Sequence, residues 1–126
     1  LVDFSDFLPT ILEAVGVKSP YVKEIDGRSF AAQLYGSTEP SRDWVYCWYF
    51  RNGKPQDASG GESARTVRYK LYKDGRYFDL DTDLLEKSPL SDAQLSDEAR
   101  RVKGELQAVI EKHTRPNFGK KAKAEK

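Results

Sequence analysis

The pair Asp74-Gly75 constrains the fold of this chain most, because it stands between two runs rich in aromatic and branched residues. An Asp-Gly pair in that setting is the strongest short-range signal of a β-hairpin. A two-residue turn would place Tyr72 opposite Tyr77 and Lys70 opposite Asp79. That register predicts one apolar face of the hairpin, formed by Val67, Tyr69, Leu71, Phe78 and Leu80.

The hairpin needs a cover, because two isolated strands are marginally stable in water. A stripe at helical spacing predicts that cover, and it consists of Leu95, Ala99, Val102, Leu106, Val109, Ile110 and His113. Ser96 is a candidate N-cap of this helix, and Ser91 with Gln94 forms a candidate capping box. Residues 44–50 predict a further, aromatic strand, and residues 52–62 a long loop. Three or more antiparallel strands against a helix make an α+β fold.

The first 36 residues carry helix signals and no strand signal. One apolar stripe recurs at helical spacing, formed by Phe4, Phe7, Leu8, Ile11, Leu12 and Val15. Pro9 fits only the first turn of a helix, so regular helix should start within residues 6–8, and Gly16 is a natural stop. Ser29 is a candidate cap of a second short helix that ends at Gly36.

The charges of the 126 residues are unevenly distributed. Residues 115–126 hold five of the 21 basic and one of the 20 acidic residues, which leaves 16 basic against 19 acidic residues elsewhere. Such a tail is commonly solvated, and the alternative is an arm that binds a polyanion. Elsewhere basic and acidic residues alternate, so we expect no nucleic-acid partner. No stretch is typical of a transmembrane helix, so we expect no membrane partner.

Two separated stretches, taken together, resemble the sulfatases. The first runs from Val2 to Gly36 and contains Asp6-x-x-Pro9-Thr10 and Asp26-Gly27-x-Ser29. It is similar to the segment that follows the catalytic half of that family, D-x-x-P-T-L-L-x-x-A-G and then D-G-x-S-L.

The second stretch contains residues 65–71 and 77–83, and it resembles the terminal sulfatase strands, R-T-x-x-x-K-L and L-Y-D-L-x-x-D-P-x-E. Leu84 stands where that pattern has Pro, whereas Glu86 keeps its acid. The resemblance covers about residues 2–113.

The resemblance implies a sulfate-ester hydrolase of the arylsulfatase type, in the alkaline-phosphatase-like superfamily. In that family a cysteine converted to formylglycine attacks sulfur beside a calcium ion, and the matching residues would lie upstream of Leu1. Since the chain begins with Leu1 and holds no Met, we expect the native N-terminus upstream. This chain would then be a C-terminal piece without catalytic residues or cofactor of its own.

The same resemblance implies a division into three parts. Residues 1–36 would dock on the catalytic domain, residues 37–113 would form a subdomain of about four antiparallel strands on a helix, and residues 114–126 would be a flexible tail. Its partner would be the catalytic domain of the same chain, and the parent's substrate a sulfated small molecule or glycan. The family suggests a periplasmic or extracellular location. We also expect an exposed apolar patch on the isolated chain, formed by Phe4, Phe7, Leu8, Ile11 and Leu12.

Arg65, Arg51 and Trp48 are candidate substrate-binding residues, because sulfatase C-terminal subdomains often lean over the active-site mouth. An arginine there would hold a sulfate or carboxylate through two hydrogen bonds. The alternative is structural, with Arg65 in an ion pair and Trp48 in the core.

Other chemistry-bearing residues favour structural roles. Cys47 and Arg51 have the spacing of the formylglycine signature C-x-P-x-R, but Tyr49 replaces its Pro, so we expect a buried structural thiol. Asp79, Asp81 and Asp83 have the acidic spacing of a calcium loop without its Gly and Glu, so we expect Asp79 to pair with Lys70. His113, at a helix end, is expected to be a capping or surface residue.

Two alternative functions remain open from the sequence. A related phosphonate or phosphate-ester hydrolase of the same superfamily has similar chain ends and differs in its nucleophile. A stand-alone polyanion-binding module would use the basic tail.

Overall fold

A computed structural model describes residues 1–20, 24–49 and 61–114 of the chain. It divides into two compact units, a first unit of Leu1–Val45 and a second unit of Tyr46–Lys126.

Helix α1 of the first unit spans Phe7–Ala14 and follows a 3-10 turn at Phe4–Asp6. It ends in a Schellman motif at Gly16, where φ is +69° and the Val17 N–H donates to the Leu12 carbonyl over 2.9 Å. The predicted start near residues 6–8 and the predicted stop at Gly16 are confirmed. Helix α2 is short, Ala31–Leu34, and the Ser29 hydroxyl accepts from the Ala31 N–H over 3.1 Å.

The apolar stripe of α1 faces outward, as expected for the isolated chain. Phe4 is 89% exposed and Ile11 57% exposed, while Asp6 and Thr10 are buried on the opposite side of the chain segment. Polar side chains therefore form the buried contacts of the first unit, and its largest apolar side chains are exposed.

The second unit contains the α+β core that the sequence predicts. Four strands form an antiparallel sheet in the order β1-β2-β3-β4: β1 Val45–Tyr49, β2 Gly61–Arg65, β3 Tyr69–Tyr72 and β4 Tyr77–Asp79. Helix α3, Asp97–His113, packs on β2 and β3. Gly61 and Glu62, predicted as loop, belong to β2.

A tight turn at Thr66–Arg68 separates β2 from β3, within the run of residues that precedes Asp74-Gly75 and that the sequence analysis did not divide. The Thr66 N–H donates to the Tyr69 carbonyl over 2.8 Å, and β2 pairs back on β3 with Arg65 opposite Lys70. Val67, predicted on the apolar face, lies at this turn and is 68% exposed.

The Asp74-Gly75 hairpin forms, but its predicted register is wrong by one residue. The loop has three residues, because the Tyr72 N–H donates to the Arg76 carbonyl over 2.9 Å and Gly75 takes a φ of +94°. Leu71 therefore lies opposite Tyr77, and Tyr69 lies opposite Asp79. Since the side-chain period of a strand is two, this shift puts Tyr77 rather than Phe78 on the face of Leu71.

The predicted face of α3 is confirmed. Its buried residues are Ala99, Val102, Leu106, Val109 and Ile110, and Leu95 is buried just before the helix. The Ser96 hydroxyl caps the helix by accepting from the Ala99 N–H over 3.1 Å, and Ser91 with Gln94 forms the predicted capping box. The Tyr77 hydroxyl joins sheet to helix by donating to the Ala99 carbonyl over 2.9 Å. Among the described residues, no helix combines the length and the hydropathy that a membrane crossing requires.

Candidate functional site

The sheet of the second unit has one face on α3 and an outer face. Ala64, Leu71 and Tyr77 lie opposite one another in register on the α3 face. Arg65 and Lys70 alternate with these residues and therefore lie on the outer face. Tyr72 and Phe78 belong to the outer face as well, where their rings meet edge-on at 6.0 Å.

Arg65 lies at the end of β2, where its guanidinium holds the carbonyls of the following turn. Nε donates to the Thr66 carbonyl and Nη2 to the Val67 carbonyl, each over 3.1 Å. The predicted structural ion pair of Arg65 is absent among the described residues, since no described carboxylate lies within 4.0 Å of it. The turn has no Gly, Asn or Asp, and this arginine supplies the hydrogen bonds that stabilise it instead.

The structure does not bring Trp48 to the face of Arg65. Tyr46, two residues earlier on β1, stacks on His113 of α3 with ring centroids 5.2 Å apart. Because side chains alternate along a strand, Trp48 lies on the α3 side with Tyr46, and it is half-buried. Arg51 lies outside the described residues, so its predicted role has no structural description.

Cys47 is exposed, and the prediction of a buried structural thiol is wrong. β1 is an edge strand, and Cys47 alternates with the half-buried Tyr46 and Trp48. The alternation turns Cys47 away from α3. An aromatic run of residues concealed this two-sided pattern, because Tyr49 on the exposed side is as apolar as its neighbours and is 58% exposed.

Asp79 pairs with Arg68 and not, as predicted, with Lys70. Both carboxylate oxygens accept from the guanidinium, the shortest contact being 2.8 Å to Nη2. Hydrogen bonding from Arg68 holds the pKa of Asp79 below its ordinary value, and the same contact raises the pKa of Arg68. The shift in hairpin register is the cause, because it places Tyr69 rather than Lys70 opposite Asp79.

Lys70 instead forms a cluster with Glu86 and Tyr72 on the outer face. The Glu86 carboxylate accepts from Lys70 Nζ over 2.7 Å and from the Tyr72 hydroxyl over 2.5 Å. Burial alone would raise the pKa of Glu86, but these two donors outweigh it and lower that pKa. Burial and the bond to Glu86 raise the pKa of Tyr72. Glu86 has a φ of +54° and is the one described non-glycine residue with positive φ.

A buried carboxylate in the first unit was missed by the sequence interpretation. Asp6 is completely buried and accepts from the backbone N–H groups of Asp3 and Arg28, each over 2.7 Å, and from the Arg42 side chain. Burial would raise the pKa of Asp6, but the three donors together lower it. Its place in the Asp6-x-x-Pro9-Thr10 motif was the available signal, since helix periodicity carries no information on a buried acid.

The described residues offer no metal site. No group of three or more His, Cys, Asp or Glu side chains in that part of the chain is placed to hold an ion. Asp79 is paired with Arg68, and Asp83 accepts a hydrogen bond from the Ser88 N–H over 2.8 Å. His113 Nδ1 lies 2.8 Å from the Val109 carbonyl at the helix end. The calcium and formylglycine implied for the parent protein stay predictions.

Comparison with known proteins gives no assignment. No protein-family model matches the chain, and no curated protein matches it either. The sulfatase resemblance therefore stays a prediction.

Proposed function

We propose that this chain is the C-terminal part of a sulfatase whose catalytic residues lie in a preceding domain. The parent protein would hydrolyse sulfate esters with a formylglycine nucleophile beside calcium. This part would supply structure and the rim of the substrate site, and would be inactive alone. The motifs of residues 2–36 and 65–83, in that order, support the proposal.

The contact between two motifs of the resemblance carries the proposal. Asp6 Oδ1 accepts from the Arg28 N–H over 2.7 Å, and the Thr10 hydroxyl accepts from the Phe30 N–H over 3.0 Å. Thr10 also donates to the Asp6 carbonyl over 2.6 Å. The D-x-x-P-T motif thus binds the D-G-x-S motif, although 20 or more residues separate the partners.

Gly27, the glycine of the second motif, lies against the backbone of residue 5. A Cβ at that position would lie 2.0 Å from the Ser5 carbonyl oxygen, so no other residue fits without a backbone shift. Three residues of the family pattern, Asp6, Thr10 and Gly27, therefore take part in one contact between the two motifs, which we call the joint. The family pattern has these residue types at positions that are far apart in sequence, and this joint brings them together.

The exposed stripe of α1 supports a covering partner. Phe4, Leu8 and Ile11 are each more than half exposed, and contiguous apolar surface of this kind marks interaction sites. The catalytic domain of the parent chain would be that partner.

The test is the activity of the protein encoded by the whole gene, produced together with a formylglycine-generating enzyme. We expect turnover of 4-nitrophenyl sulfate, a formylglycine detectable by mass spectrometry upstream of Leu1, and loss of turnover when that cysteine is replaced by alanine. The 126-residue chain alone, assayed in parallel, should be inactive.

Two results would contradict the proposal. Preferential turnover of 4-nitrophenyl phosphate by a parent with a Ser or Thr nucleophile would favour the related phosphate-ester or phosphonate hydrolase. Sulfate-ester turnover by the 126 residues alone would mean that the chemistry lies within this chain.

A further inference from the structure

The first unit contains a cavity of about 360 Å³ between α1 and the D-G-x-S motif. Helix α1 lines it with Pro9, Leu12 and Glu13, the motif lines it with Gly27 and Ser29, and residues 17–19 complete the lining. Sites for small molecules have volumes of roughly 300–1,000 Å³, so this cavity has the size of a site for a small ligand.

One part of the lining is apolar and only partly covered. Leu12 is the half-buried member of the α1 stripe, whose other members are exposed, and Val17 is 53% exposed. Pro9, which lines the same cavity, is buried. An aliphatic group in the cavity would cover the remaining apolar surface of Leu12 and Val17, which is favourable in water.

The two charged side chains of the lining have no partners. Glu13 and Lys18 carry opposite charges at the same cavity, yet their charged groups do not lie within 4.0 Å of each other. In the part of the chain that the structure describes, neither side chain forms an ion pair with any other residue. A ligand with both an ammonium and a carboxylate would pair with both charges.

The hydroxyl of Ser29 has a proton left to donate. Its oxygen accepts from the Ala31 N–H over 3.1 Å, and no described residue accepts the hydroxyl proton. A serine hydroxyl is a donor as well as an acceptor, so this group can bind an acceptor oxygen of a ligand. The lining thus offers one anion, one cation, one hydroxyl donor and an apolar surface.

We propose that this cavity binds a small zwitterion with an aliphatic side chain, of the α-amino-acid class. The Glu13 carboxylate accepts from the ligand's ammonium group, and Lys18 and Ser29 donate to its carboxylate. Leu12 and Val17 contact the aliphatic side chain. This binding site belongs to the first unit alone and does not rest on the proposed sulfatase function.

The test is an NMR titration of the ¹⁵N-labelled 126-residue chain with L-leucine at pH 7 and constant ionic strength. We expect saturable shifts of the Leu12, Lys18 and Ser29 amides, with a dissociation constant on the order of 1 mM, and no shift at Leu71 of the second unit. Nuclear Overhauser effects should join the leucine methyl groups to those of Val17. Absence of saturable shifts, or equal shifts at Leu71, would overturn the proposal.

Three analogues of leucine test each part of the ligand on the wild-type chain. 3-Methylbutylamine lacks the carboxylate, 4-methylpentanoate lacks the ammonium group, and glycine lacks the aliphatic side chain. Each should bind at least about tenfold more weakly than leucine, because each loses a charge-assisted hydrogen bond or the apolar contact. An analogue that binds as tightly as leucine would overturn the assignment to this ligand class.

Two variants test the role given to each charge. Glu13→Gln should weaken leucine binding at least about tenfold and leave the affinity for 4-methylpentanoate unchanged. Lys18→Gln should weaken leucine binding similarly and leave the affinity for 3-methylbutylamine unchanged. Glu39→Gln is the matched control, because Glu39 is an exposed acid of the first unit outside the cavity. Wild-type affinity for leucine in either cavity variant, or equal weakening in the control, would overturn the site.

Discussion

Asp6 and Arg42 form an ion pair that is closed off from solvent, with side chains 0% and 7% exposed. The pair joins the start of the first unit to residue 42, and the backbone N–H groups of Asp3 and Arg28 complete the shell of the carboxylate. Breaking a buried pair leaves an uncompensated charge, which costs more than the pair contributes.

We predict that Asp6→Asn unfolds the first unit. The loss should be about 3–5 kcal/mol, comparable with the whole stability of a small unit. Hydrogen exchange by NMR should show loss of protection at the Arg28 and Phe30 amides, while the Leu71 amide of the second unit stays protected. Glu13→Gln, an exposed change on α1, is the control and should leave protection intact. Retained protection in Asp6→Asn would contradict the role assigned to the pair.

Gly27→Ala and Gly104→Ala should act in opposite directions. At Gly27 the new Cβ meets the Ser5 carbonyl oxygen at 2.0 Å, whereas at Gly104, inside α3, nothing lies within 4 Å. We expect Gly27→Ala to destabilise the first unit by about 1–3 kcal/mol and Gly104→Ala to stabilise α3 by about 0.5–1 kcal/mol. Hydrogen exchange of the two units measures both changes, and a neutral Gly27→Ala would refute the close packing.

Glycine should be better tolerated than alanine at position 86. Both substitutions remove the hydrogen bonds to Lys70 and Tyr72, at a cost of about 1.5–3 kcal/mol, but only glycine adopts the φ of +54° freely. We expect the free energy of unfolding, measured in urea, to be about 1 kcal/mol higher for Glu86→Gly than for Glu86→Ala. The same two changes at Glu105 of α3 should give the opposite order. Equal stability of the two variants at position 86 would argue against strain there.

Acid should destabilise the second unit through Asp79. Its pKa is held low by Arg68 in the folded chain and returns to about 3.9 on unfolding, so the unfolded chain binds protons first as the pH falls. The stabilisation is complete above pH of about 4 and is lost as the pH falls through the folded pKa. Urea midpoints measured between pH 7 and pH 2 should fall less steeply for Arg68→Gln than for wild type. Parallel curves would show that the ion pair contributes nothing to the acid response.

The sequence predicted elements whose signal is local. Helix α3 combines a stripe at helical spacing with the cap Ser96, and α1 combines the first-turn Pro9 with the stop Gly16, so pattern and caps agree. The turn at Thr66–Arg68 was missed because side chains stabilise it rather than turn-forming residues. Thr66 Oγ1 accepts from the Tyr69 N–H over 2.9 Å, and Arg65 holds two of the carbonyls.

The hairpin register depended on a choice that the sequence leaves open. An Asp-Gly pair suits a two-residue turn as well as a three-residue loop with glycine last, and apolar residues fit both registers because Tyr77 and Phe78 are adjacent. Both are buried in the structure, at 0% and 1% exposure. A single wrong register then produced the wrong partners for Asp79 and Lys70.

The candidate site was predicted only in part, because its residues depend on the faces of the sheet. Arg65 was identified from its motif, but the turn carbonyls it holds and the cation opposite it follow from the missed turn. Trp48 lies on the other face, which the unbroken aromatic run of β1 did not indicate.

The first unit buries mainly polar side chains, and this determines how its stability should respond to temperature. Among the described residues, the first unit buries two apolar side chains, those of Pro9 and Ala31, and the other buried apolar side chains belong to the second unit. Unfolding of the first unit would thus expose little additional hydrocarbon to water, and the heat capacity would change little. Its thermal unfolding should be broad, and its free energy of unfolding should vary almost linearly with temperature. Cooling should therefore keep raising the stability of the first unit at temperatures where a unit with a hydrocarbon core begins to lose stability.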